Sequence, residues 1–317
     1  MKPYLLPFLT AFYCATMGFS ISVDAKSSVK YNSIEERTES FEQSPIDLAQ
    51  NSQNATYTAE DYRQVGAVFF KQRRFEEAIH SYSEAIELEP NNFDLYAERA
   101  TIYSYIEEYE KALADYDKAI EINPEVLSVH YNRGFTHFKI GEPENAIADY
   151  DKAIELNPDY ADAYLNRGAA YKELGQNDSA IADYNKAIEI EPEHLEAHYN
   201  RGTYYFEQEQ YEQALIDFSE VVKIEPSRIN AYMRRAAIYN KLEQRELQIA
   251  DYDKIIGIDK NYPYAYLQRG IAYKKLENVA QCEEDIAKAV SLFEEQNEDS
   301  YHYRLARALL DQNKCQL

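Results

Sequence analysis

The sequence predicts an all-α fold: one helix-turn-helix unit, copied about seven times and stacked. Three observations carry this. Residues 131–158, YNRGFTHFKIGEPENAIADYDKAIELNP, return 34 positions later as LNRGAAYKELGQNDSAIADYNKAIEIEP, and then as YNRGTYYFEQEQYEQALIDFSEVVKIEP. A proline closes the copy at Pro90, Pro124, Pro158, Pro192 and Pro226, with Lys260 next in the series. Between prolines, small and aromatic residues recur at i, i+4 and i+7, as in Tyr164, Gly168, Tyr171 and then Ala180, Tyr184, Ala187, the spacing of one helix face. Gly175 separates those two helices, and Pro192 ends the second because it lacks an N–H and clashes with the preceding turn.

The chain begins differently. Lys2 is followed by an uncharged run from Pro3 to Val23, and Val23-Asp24-Ala25 places short residues where a signal peptidase reads. Residues 1–25 are therefore read as a signal peptide, the alternative being an uncleaved membrane anchor. Cys14 is preceded by Phe12 and Tyr13, which do not suit a lipoprotein site. Residues 26–58 are rich in Ser, Asn, Gln and Glu and lack an apolar period, which predicts a disordered linker with at most a brief helix over 44–49.

Placing the proline at position 32 of each copy starts the repeats at Ala59, Phe93, Leu127, Ala161, Leu195, Ile229 and Pro263. Position 8 is small throughout (Gly66, Ala100, Gly134, Gly168, Gly202, Ala236, Gly270), as is position 20 through Ala214. A glycine inside a helix costs about 0.5–1 kcal/mol relative to alanine, so its recurrence implies close helix approach. Tyrosines cluster at positions 4, 11 and 24, which accounts for much of the total of 30 as packing. His130, His137 and His198 stand at positions 4 or 11 and read as substitutes for Tyr. Pro143 falls in a first helical turn, where proline is tolerated.

Arg at position 7 and Asp at position 23 occur together in repeats two to seven and are both missing from repeat one, which has Val65 and Ser81. Joint presence and joint loss predict an ion pair between the two helices of each repeat. The pattern weakens late: Gln248, Gly257 and Lys260 in repeat six, Cys282 and Ile286 in repeat seven. Residues 297–317 then form a capping helix, with Tyr303, Leu305, Ala306 and Leu309 covering the end of the stack. Cys282 and Cys315 lie on antiparallel helices at comparable distances from their turn, and in an oxidising compartment they are expected to form a disulfide.

Tyr-x3-Gly-x2-Tyr, then Ala-x3-Tyr-x2-Ala and a closing Pro, on a 34-residue period over residues 59–293, resembles the tetratricopeptide repeat. The resemblance implies a right-handed superhelical solenoid whose concave face is lined by first helices and binds peptides or protein segments. Contact positions in that family are 2, 5, 6, 9, 12 and 13. Carried onto this chain they give an amide row, Asn132, Asn166 and Asn200, suited to an extended backbone. Beside it stand Tyr131, Phe135, Phe138, Tyr199 and Phe206 as apolar anchors. Arg234, Lys241, Lys274 and Lys275 form a basic patch for an acidic residue or a terminal carboxylate. The competing reading gives the same Asn and aromatic residues to helix packing. The family's early carboxylate clamp is not carried over, because its positions hold Arg63, Ala67, Ala97 and Thr101.

Net charge is −23, which argues against nucleic acid as a partner. His194 and His198 are at i, i+4, but two ligands alone are a weak metal signal. No Gly-rich phosphate loop, nucleophile elbow or converging carboxylate pair occurs. The sequence thus reads as a non-enzymatic scaffold or assembly factor for a protein or peptide partner, without cofactor, metal or small-molecule substrate. The alternative is an accessory subunit positioning substrates for a partner enzyme. The expected location is exported and periplasmic, or else secreted, in a secretory lumen, or anchored through residues 3–23. Asn54-Ala-Thr56 and Asn177-Asp-Ser179 match glycosylation acceptors.

Overall fold

The computed structural model describes residues 57–312 and Cys315; the readings made on residues 1–56 lie outside these. The described residues form helices and no strand. They divide into two compact units. The N-terminal unit, ending at Ile190, holds repeats one to four as helix pairs: α1 (Ala59–Lys71) with α2 (Phe75–Leu88), α3 (Phe93–Tyr105) with α4 (Tyr109–Ile122), α5 (Leu127–Lys139) with α6 (Pro143–Leu156), and α7 (Ala161–Glu173) with α8 (Asn177–Ile190). The C-terminal unit, from Glu191, holds α9 (Leu195–Glu207) with α10 (Tyr211–Ile224), α11 (Ile229–Lys241) with α12 (Arg245–Ile258), α13 (Pro263–Lys275) with α14 (Val279–Glu295), and then α15 (Tyr301–Asp311).

Local chemistry sets the boundaries. Thr58 caps α1, its hydroxyl accepting from Asp61 N while the Asp61 carboxylate accepts from Thr58 N, a capping box. Each first helix ends at position 15 in the left-handed region: Arg73, Glu107, Gly141, Gly175, Glu209, Glu243 and Glu277, with φ between 58° and 78°. The next N–H reaches back five residues, as from Glu142 N to His137 O at 2.9 Å, which closes the helix end in a Schellman turn. Pro143 opens α6 at a position that needs no N–H.

Within a repeat the small positions let the tyrosine ring through. A Cβ built on Gly168 would stand 2.8 Å from Tyr184 Cε1 and 3.2 Å from Ala180 O. The position-24 rings Tyr116, Tyr150, Tyr184 and Phe218 are among the largest fully buried side chains, and each such ring contributes roughly 1.5–3 kcal/mol by leaving water.

All six expected Arg–Asp pairs form among the described residues, each as a two-bond fork. Nε and Nη2 of Arg99, Arg133, Arg167, Arg201, Arg235 and Arg269 reach the two oxygens of Asp115, Asp149, Asp183, Asp217, Asp251 and Asp285 at 2.6–2.9 Å. The remaining arm, Nη1, extends to position 25 of the preceding repeat. Arg99 meets Ser83 and Arg133 meets Asp117; likewise Arg167 meets Asp151, Arg235 meets Ser219 and Arg269 meets Asp253. One guanidinium therefore joins two helices of its own repeat to the repeat before it. Hydrogen bonds to Asp183 outweigh burial and hold the Arg167 guanidinium well above its ordinary range. Burial works to raise Asp149, yet bonds from His130 and Arg133 prevail and keep its carboxyl below the usual range.

Position 4 has a comparable tether. Tyr96 and Tyr266 donate through their hydroxyls to the carbonyls of Pro90 and Lys260. His130 and His198 set Nε2 against the carbonyls of Pro124 and Pro192 and Nδ1 against the buried Asp149 and Asp217. The histidines thus stand in for tyrosine's tether and add a second bond.

At the C-terminal end, α14 runs 17 residues against 14 for the other second helices. Its buried Ile286, Val290 and Phe293 pack with Tyr303, Ala306, Leu309 and Leu310 of α15. Cys282 and Cys315 are joined, their Cα atoms 5.9 Å apart.

Candidate functional site

The first helices meet along a fixed register: position 5 of one repeat faces position 6 of the next. Arg63 grips Glu98 with Nε at 3.0 and 3.1 Å. Thirty-five residues likewise separate Tyr131 from Asn166, whose Nδ2 donates to the Tyr131 hydroxyl at 2.8 Å. In these two pairs a polar group at position 5 engages position 6 of the next repeat. Asn132 follows Ala97, which offers no polar group, and the C-terminal unit carries its own position-6 amide, Asn200. Both are half-buried, and neither side-chain amide makes a hydrogen bond among the described residues.

The expected contact residues therefore separate. Tyr131 and Asn166 are 2% and 3% exposed, so the reading of both as free groove residues is corrected: they are buried against each other inside the N-terminal unit, joined through Asn166 Nδ2 while Asn166 Oδ1 has no partner among the described residues. Phe135 and Tyr199 are also buried, against the expectation of open anchors. Tyr199 packs edge-on to Phe218 at 5.6 Å, and Lys139 Nζ lies 5.3 Å from the Phe135 ring centre. Phe138 is half-buried beside the cluster of Tyr131, Tyr150 and Ala153. In the C-terminal unit Phe206 is half-buried, 6.1 Å from Tyr211, with the Arg234 guanidinium 5.7 Å from its ring centre. Such a cation over a ring face is favourable by about 0.5–1 kcal/mol at exposed sites.

The basic patch is open. Lys241 and Lys275 are exposed, and Arg234 and Lys274 half-buried. Among the described residues none of the four is in contact with a carboxylate. Arg245 and Asn240 belong beside them and were missed from sequence. Arg245 occupies position 17, which holds Phe75, Tyr109, Pro143, Asn177, Tyr211 and Val279 in the other repeats, and reads there as an irregular helix start. The informative signal was its coupling to an equally irregular Asn at position 12, where repeats one, three and five carry Phe.

Among the described residues no group of three or more His, Cys, Asp or Glu side chains could hold a metal ion, and no helix is long and apolar enough to cross a membrane.

Family models described as TPR repeat match residues 66–105, 102–141 and 137–175. Models described as tetratricopeptide repeat match 161–194, 195–228, 229–262 and 263–296. Among solved structures, the C-terminal part of a TPR repeat-containing protein from Cytophaga hutchinsonii is similar with a TM-score of 0.64 and 18% identity, over 77% of this chain and 98% of that one. PilW, a type IV pilus biogenesis factor, is similar with a TM-score of 0.58 and 20% identity, over 66% and 96%. A tetratricopeptide repeat protein from Parabacteroides merdae is similar with a TM-score of 0.55 and 22% identity, over 80% and 97%. At these identities the likeness concerns the fold. No curated protein matches the chain.

Proposed function

Because the chain belongs to the tetratricopeptide repeat family, we propose that it is a protein-interaction scaffold that holds a partner's polypeptide segment along the first helices of its repeats. The observation that carries the reading is the pair of uncommitted amides, Asn132 and Asn200. Their sister Asn166 is spent on packing, so the framework does not require an amide free at this position. A free amide offers both donor and acceptor to an extended backbone. Phe138, on the same helix as the first, and Phe206 with Arg234 in the second unit, would add apolar and cationic contacts. We place the protein in an exported, preferably periplasmic, setting on the strength of the uncharged run from Pro3 to Val23.

Crosslinked capture of partners from the native compartment, wild type against Asn132→Ala with Asn200→Ala, tests the reading. Loss of a captured partner with helical content unchanged is expected. Undiminished capture removes the amide contacts, and catalytic turnover by the purified protein alone overturns the scaffold reading.

A further inference from the structure

The same three loci are built from opposite chemistry in two places. Where repeats one and two meet, position 12 (Phe70), position 17 (Phe75) and position 13 of the next repeat (Tyr105) form an aromatic triad, with ring centres 5.2–6.0 Å apart. Where repeats six and seven meet, those loci hold Asn240, Arg245 and Lys275. Arg245 Nη1 donates to the Asn240 carbonyl at 2.8 Å and to its Oδ1 at 2.7 Å. Lys275 Nζ donates to the same Oδ1 at 3.1 Å. Two cations thus converge on one neutral amide oxygen. Arg245 also touches Gln248 Oε1 at 3.3 Å, again an amide.

This arrangement is not explained by packing, which aromatics serve at the sister site. It is not explained by ion pairing either. The framework arginines all have carboxylate partners, whereas Arg245 and Lys275 have none in contact among the described residues. Burial first, and then the charge of Arg245, lower the Lys275 ammonium from its ordinary range, with Glu243 opposing. The site therefore sets two cations on one amide with no carboxylate in contact, Glu243 acting on it as an opposing charge, in a chain of net −23. Lys241 and Lys274 adjoin Asn240 and Lys275 in sequence, so the positive charge continues along α11 and α13.

We infer that Asn240, Arg245 and Lys275 form a carboxylate subsite that seats an acidic run of a partner polypeptide on the C-terminal ends of α11 and α13. The inference rests on the protein-binding reading above and names the chemistry of the partner. A carboxylate oxygen replaces or joins Asn240 Oδ1 and receives charge-assisted hydrogen bonds from both cations. An acidic run is chosen over a single carboxylate because Lys241 and Lys274 extend the patch beyond one ligand group. The remaining acidic surface repels such a segment, which confines it to this register.

Fluorescence anisotropy on the full chain at low salt tests this with labelled hexaglutamate carrying an amidated end. Hexaglutamine with a free terminal carboxylate serves as the second probe. Hexaglutamate is expected to bind and hexaglutamine to bind at least about tenfold more weakly. Arg245→Gln with Lys275→Gln should weaken hexaglutamate about tenfold. Lys118→Gln with Lys186→Gln, an equal change of charge in the N-terminal unit, should leave it within about twofold. Lys275→Gln alone repeats the test without touching the start of α12, with a loss of about threefold expected. No hexaglutamate binding, tighter binding of hexaglutamine, or equal losses in the two double variants overturns the subsite. Capture of a partner without an acidic run, unaffected by Arg245→Gln with Lys275→Gln, also overturns it and leaves the scaffold reading standing.

Discussion

Arg167 touches two carboxylates whose surroundings differ, and that difference sets the size of two couplings. It binds Asp183 through Nε at 2.8 Å and Nη2 at 2.7 Å, and Asp151 through Nη1 at 2.6 Å. The Asp183 side chain is 7% exposed and that of Asp151 is 53% exposed. Arg167→Ala strands Asp183 as a buried charge, which costs on the order of 3 kcal/mol. Asp151 returns to water at little cost, since exposed pairs contribute about 0–1 kcal/mol. Two double-mutant cycles by denaturant titration, followed by circular dichroism, separate the arms. Arg167→Ala with Asp183→Ala should show a coupling of about 2 kcal/mol, and Arg167→Ala with Asp151→Ala less than about 0.5 kcal/mol. Equal couplings, or an inner coupling below about 0.5 kcal/mol, would refute the claim that burial and not proximity sets the worth of each arm.

Three further outcomes are expected. Gly257→Ala in α12 meets nothing within 4 Å and should stabilise by about 0.5–1 kcal/mol, whereas Gly168→Ala gains nothing because its Cβ meets Tyr184 and Ala180 O; equal shifts in thermal midpoint would contradict the packing argument. Reducing the Cys282–Cys315 bond, 33 residues apart in sequence, should lower the stability of the C-terminal unit by about 3–4 kcal/mol, read as earlier loss of hydrogen-exchange protection in α14 and α15. His198 is lowered by burial but raised overall by bonds to Asp217 and the Pro192 carbonyl. Its folded value therefore exceeds the unfolded value of about 6.5, so its stabilisation is complete below that pH and fades as pH rises through the folded value. His198→Gln should flatten the denaturation midpoint over that window, and an unchanged pH profile would sink the assignment.

Much of the framework was legible because repetition supplies its own controls. Arg99 to Arg269 and their aspartates vary together across copies, and a pair that vanishes together from Val65 and Ser81 is a contact. The third arm was overlooked, although position 25 carries its signature: Ser83, Asp117, Asp151, Ser219 and Asp253 are all acceptors. The candidate site was less legible, since what position 6 does depends on a side chain in another copy. Asn132 and Asn166 look alike in sequence, yet Ala97 leaves one free and Tyr131 consumes the other. Arg245 was hidden for the opposite reason: a departure from the repeat reads as decay until its neighbours show what replaced the aromatic ring.

The guanidinium that reaches back one repeat also gives the array a grammar for beginning and ending. Copies two to six bring both a hook at position 7 and an eye at position 25, a head-to-tail pattern that sets no intrinsic limit on number. The first copy has Val65 instead of a hook. The last has Ala287 instead of an eye, and α15 with its disulfide follows where another copy would dock. A duplication inside the array would carry its own fastenings, whereas a copy appended after Ala287 would arrive with a hook and find no eye.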